Sequence, residues 1–98
     1  MKTLEMIKFG RTLTDREYGK RIAVSILKKD SFPLLLDFKG VISLGSSCGD
    51  EIVNAIALKQ GNTIEVTNTN QAIRHCLEMV AQDAKITICF IETVVKCS

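Results

Sequence analysis

A chain of 98 residues in which β-rich runs and amphipathic helical runs take strict turns has few folds open to it. The alternation begins with "LEMIKF" (Leu4 to Phe9), where Leu4 and Met6 face one side and Glu5, Ile7 and Phe9 the other, as in a strand ended by Gly10. "TDREYGKRIAVSILKK" follows as a helix. Thr14 and Glu17 have the spacing of a capping box, in which each side chain satisfies a backbone N–H of the first turn. Tyr18, Ile22 and Ile26, joined by Ala23 and Leu27, form its apolar stripe. Gly19 within it costs about 1 kcal/mol relative to Ala. Pro33 cannot continue a helix and leads into "LLLDF", an apolar run of the kind found in strands covered on both faces. "DEIVNAIALKQG" reads as the second helix, with Ile52, Val53, Ile56 and Ala57 inward and Gly61 at its C-terminal cap. "TIEVT" is a short strand. "NQAIRHCLEMVAQ" is the third helix, apolar along Ala72, Ile73, Cys76, Leu77 and Val80 and capped by Asn68, Thr69 or Asn70. "KITICFIETVV" closes the chain as a β-rich run. The order β-α-β-α-β-α-β predicts one α/β domain over residues 1–98, its helices packed on a mostly parallel or mixed sheet through right-handed crossovers.

Composition narrows the function classes. Thirteen basic and eleven acidic residues leave a net charge of +2. The excess lies in the first thirty residues, where eight basic side chains meet four acidic ones. Arg16, Lys20 and Arg21 make the first helix basic, but a nucleic-acid footprint has a denser cluster with aromatic rings for stacking, and the chain holds four Phe, one Tyr and no Trp. A solvated helix face is the simpler reading. Cys48, Cys76, Cys89 and Cys97 form no CxxC pair and no zinc spacing, so no metal or other cofactor is expected, and the cysteines read as small hydrophobes of a reduced protein. Glu5 and Lys8 interrupt the N-terminal apolar residues, and no run reaches the ~18 apolar residues of a spanning helix. A soluble cytoplasmic protein is expected.

The chemistry to weigh lies in "ISLGSSCGDE", between the second strand and the second helix. Ligands of open α/β sheets bind beyond the carboxyl ends of strands, and a helix's first turn offers free N–H groups to an anion. The plain reading is that Ser46 or Ser47 caps the helix and puts Asp50 or Glu51 in its first turn. A nucleotide-binding P-loop is excluded because no lysine follows the glycines. "GSSCG" matches the letters of the G-x-S-x-G nucleophile elbow, with Ser47 at its centre. Such chemistry needs a base, as does a Cys48 nucleophile, and the sole histidine is His75 in the third helix.

A resemblance carries the reading further. Asp37, Phe38, Gly40, Val41, Ser43, Ser47, Gly49, Asp50 and Glu51 resemble the central segment of a STAS-like family, a domain of unknown function related to the STAS domains of anti-sigma factor antagonists. Leu13, Arg16 and Gly19 fit the pattern that opens the family's first helix, and "VTNTN" fits the turn before its third. The resemblance runs through nearly the whole chain. It implies a non-catalytic regulatory domain that docks on a protein partner, such as an ATPase or kinase of the GHKL type, without a cofactor. It puts the docking surface at Ser43, Gly45, Ser46, Ser47, Cys48, Asp50 and Glu51, with Ser46 in the phosphoacceptor position. The alternative from another class is a small ligand-binding or hydrolytic domain that uses Ser47 or Cys48 with His75. A homodimer through the final β-rich run is a further expectation, because an unpaired edge strand invites a second copy. Nucleic acid and membrane are not expected partners.

Overall fold

Four short strands carry the fold. In a computed structural model, described here for residues 2–91, they are β1 (Lys2–Glu5), β3 (Leu34–Asp37), β5 (Thr63–Thr67) and β6 (Thr87–Ile91), in the spatial order β1-β3-β5-β6. Every pairing between them is parallel. A two-residue parallel pair, β2 (Thr12–Leu13) with β4 (Ser43–Leu44), stands beside this sheet. Three helices connect the strands: α1 (Arg16–Lys29), α2 (Ser46–Ala57) and α3 (Gln71–Ala84). The α/β alternation read from the sequence is therefore present, and of the two arrangements it allowed the sheet takes the parallel one.

Chain order and spatial order run the same way across the sheet. Right-handed crossovers that always advance in one direction place successive helices on the same side. Burial follows this rule. Leu4, Leu36, Val66 and Phe90 stand in register on one face, and the first three are almost wholly buried. Burying a leucine of this kind contributes about 1.5–3 kcal/mol. The opposite face carries Thr3, Leu35, Glu65 and Cys89 in one row and Glu5, Asp37, Thr67 and Ile91 in the next. The expectation that "LLLDF" would be covered on both faces is corrected: Leu34 and Leu36 are buried, whereas Leu35 and Asp37 are only partly so.

Local corrections have identifiable causes. β1 ends at Glu5, and Met6–Phe9 forms a 3-10 turn instead of continuing the strand. The turn drives Met6 fully into the core and lets the Tyr18 hydroxyl donate to the Phe9 carbonyl. Gly10, at φ 130°, accepts the left-handed backbone that ends it. The capping box of Thr14 and Glu17 does not form. Asp15 is the N-cap of α1 and accepts from Tyr18 N at 2.9 Å, while Glu17 pairs with Lys20 at 3.5 Å. Thr14 instead lies against Gly45. A Cβ on Gly45 would lie 3.0 Å from the Thr14 Cα, so glycine lets the two segments cross without either giving way. Gly61 does not cap α2, which stops at Ala57; Gly61 and Asn62, both at positive φ, turn the chain toward β5. Asn70 caps α3 as expected, accepting from Ile73 N at 2.8 Å. Cys48 and Cys76 are buried, but Cys89 is exposed on the open face. The rest of the final β-rich run and Cys97 lie outside the described residues.

The centre of the helical layer is the contact of α1 with α2. A Cβ added to Gly19 would meet the Cα and carbonyl oxygen of Cys48 at 2.9 Å. The glycine that weakens α1 as an isolated helix is thus what lets α2 approach it. Gly19→Ala is expected to destabilise the protein by up to about 2 kcal/mol, the ~1–3 kcal/mol cost of overpacking less the ~1 kcal/mol gained in helix propensity. Urea denaturation of the two proteins would measure this, and a higher midpoint for the alanine variant would contradict the close approach.

Candidate functional site

Two helix N-termini meet where β2 and β4 pair. Gly45 N donates to Leu13 O at 2.8 Å, and the Ile42 and Ser43 amides both donate to Arg11 O. This ties the start of α2 to the start of α1. Gly45 is the N-cap of α2, and no side chain closes the first turn. The expectation that Ser46 or Ser47 would cap the helix, with Asp50 or Glu51 in its first turn, is therefore corrected. The serines are its first two helical residues, and the close crossing at Thr14 favours glycine in the cap position. Ser46 is exposed and Ser47 partly buried.

Arg16 opens α1 and reaches across to α2. Its guanidinium lies 2.5 Å from a Glu51 carboxylate oxygen and 3.5 Å from one of Asp50. The hydrogen bond that Arg16 donates to Glu51 pushes the Arg16 pKa up, partial desolvation opposes this, and Asp50 adds to the rise. Asp50 is itself held by Asn54, whose Nδ2 donates to its Oδ1 at 2.7 Å and to its carbonyl at 2.8 Å. Arg16, Ser46, Asp50, Val80 and Asp83 line one open cavity of about 320 Å³ between the three helices. Ile42, just before β4, is 60% exposed, and Asn70 Nδ2 donates to its carbonyl at 2.9 Å. The junction thus carries one exposed apolar side chain and one exposed serine.

Not every residue expected at the site is available there. Ser43, Gly45, Ser46, Ser47, Asp50 and Glu51 all keep some exposure, but Cys48 is fully buried against Gly19 and offers no side chain to a partner. Burial, with smaller contributions from the Asp15 charge and from Cys76, pushes its thiol up from the ordinary 9.0 to about 11. The thiol stays protonated at neutral pH and is not activated by the helix start. Ser47 sits in regular helix rather than on a strained elbow; the non-glycine residues at positive φ are Asn62, Asn68 and Lys85. His75 is exposed on α3 and does not line the cavity. Sequence reasoning missed Ile42, Val80 and Asp83, and it treated Arg16 only as part of a basic helix face. Nothing in the local pattern of α1 indicates that its first residue pairs with α2, since that contact depends on the packing of the two helices.

Comparison with family models, with curated proteins and with solved structures gave no match. Among the described residues no group of three or more histidines, cysteines or acids has a metal-binding arrangement, and no helix is long and apolar enough to cross a membrane.

The Cys48 environment has two measurable consequences. Its thiolate fraction at pH 8 is about a hundredfold below that of an unperturbed thiol. Peptide mapping after maleimide treatment should therefore find Cys89 labelled and Cys48 spared; equal labelling would refute the burial. The proton is kept to about pH 11 in the folded state and released near 9.0 in the unfolded chain. The contribution to stability is complete below pH 9 and is lost as pH rises toward 11. Urea midpoints from pH 8 to 10 should fall more steeply for the wild type than for Cys48→Ala.

Proposed function

We propose that the chain is a non-catalytic regulatory domain that docks on a protein partner through the junction from Ser43 to Glu51. The partner class is an ATP-binding ATPase or kinase of the GHKL type, as the STAS-like resemblance implies. Ser46 is the switch. The observation that carries this reading is the Arg16 bridge to Asp50 and Glu51 beside the exposed Ser46, in one shared cavity.

The physical logic is electrostatic. A phosphate on Ser46 adds about −1.5 to −2 charges. The free N–H groups of the first turn and the Arg16 guanidinium favour it, while Asp50 and Asp83 oppose it. Arg16 is then divided between the phosphate and its two carboxylates. The rim of the cavity changes charge without any change in the core. Ile42 supplies the apolar contact that anchors the partner. The cavity also supports a second reading, in which it takes a small polar ligand.

The test is affinity capture from native lysate with the wild type, with Ser46→Asp/Asp50→Lys and with Arg16→Ala, followed by nucleotide-binding assays on the retained proteins. An ATP-binding protein retained by the wild type and reduced about tenfold or more in both variants is the expected result, equal to a loss of at least 1.4 kcal/mol. Equal retention by all three proteins would remove the junction as the docking surface. No retention at all would shift weight to the small-ligand reading.

A further inference from the structure

All-parallel sheets occur almost exclusively with both faces covered. Among the described residues this sheet is covered on one, since α1, α2 and α3 lie on the side of Leu4, Leu36 and Val66. We propose that its other face is a separate docking surface, built to receive a cationic amphipathic helix of a partner protein.

The composition of the face selects the occupant. Glu5 and Asp37 are register partners on neighbouring strands, and Glu65 is the register partner of Leu35 in the adjoining row. Lys2 is the one basic residue in the four strands; it lies on the helical side and pairs with Asp30 at 3.0 Å. Among the described residues no lysine or arginine forms an ion pair with Glu5, Asp37 or Glu65. Among the described residues the face therefore presents three carboxylates with no basic side chain paired to them, Asp37 accepting only from Asn68 Nδ2 and the Lys39 amide at 2.9 Å, together with the apolar Leu35 and Ile91 and the exposed Cys89.

Each alternative occupant meets a physical objection. A second copy packed face to face would set carboxylates against carboxylates. Nucleic acid and anionic lipid would be repelled by the same charges. An extended peptide lying on the face would find the strands' hydrogen bonds already used, and its own backbone groups would be left unpaired. A helix satisfies its backbone internally. Its apolar stripe can cover Leu35 and Ile91 while flanking lysines or arginines meet the acids. The dimensions agree: four strands of four or five residues make a patch of roughly 15 Å by 15 Å. That is the footprint of about three turns of one helix, 10–12 Å across.

The experiment titrates the ¹⁵N-labelled full chain with a leucine/lysine amphipathic peptide of about 15 residues, roughly 22 Å long as a helix. A leucine/glutamate peptide of the same pattern is the control. Saturable shifts at Thr3, Leu35, Glu65 and Cys89 with the lysine peptide only, weakened about tenfold in Glu5→Gln/Glu65→Gln, are expected. Absence of saturable binding, shifts confined to Asp50, Glu51 and Asp83, or equal affinity in the double variant would each overturn the proposal. Sedimentation velocity provides the last arm: a dimer that occludes this face in the absence of peptide would assign it to a second copy and overturn it as well.

Discussion

The approach of α1 to α2 at Gly19 and Cys48 is the constraint on which the rest of the molecule depends. It brings two backbones together where any side chain would hold them apart. Once α1 and α2 lie this close, Arg16 can span to Glu51, and Ser46 at the start of α2 lines a cavity that it shares with Arg16 and Asp50. The same contact seals Cys48, so a residue type associated with reactivity serves as a spacer. Gly45 repeats the device one element earlier, against Thr14. Two glycines in two connected segments thus set the geometry of the whole junction.

How far the fold could be read in the sequence depended on the range of the forces involved. Helical stripes such as Ile22 and Ile26, or Ile73, Leu77 and Val80, are local patterns, and they place the three helices correctly. Strand-helix alternation is likewise a property of neighbouring residues, and it leads to the α/β class. The failures share one cause. Thr14 has the right spacing for a capping box but is held by a backbone 31 residues away in Gly45. Met6 fits an alternating strand but is pulled into the core through a tight turn. The pair β2 and β4 is two residues long and carries no pattern that could announce it.

The site shows the same division. The exposed Ser46, with Asp50 and Glu51, was found because these residues sit at a strand-to-helix connection. Their partner Arg16 and the wall made by Val80 and Asp83 were not, since they come from other helices. Cys48 was assigned to the docking surface by the resemblance, although cysteines of this chain read as small hydrophobes. In a helix, though, a residue's side is decided by its angle, and the third residue of α2 turns inward onto α1.

The monotonic strand order also bears on how the chain reaches this structure. Leu4 pairs with Leu36, Leu36 with Val66 and Val66 with Phe90, so each strand finds its partner 24 to 32 residues further along the chain. No strand has to be inserted between two that have already paired. The sheet can grow from one edge as each βα unit is completed, and the loop-closure entropy is met in small instalments. Assembly during synthesis would therefore run from β1 toward β6, with α1 and α2 docking at Gly19 before the last strand exists.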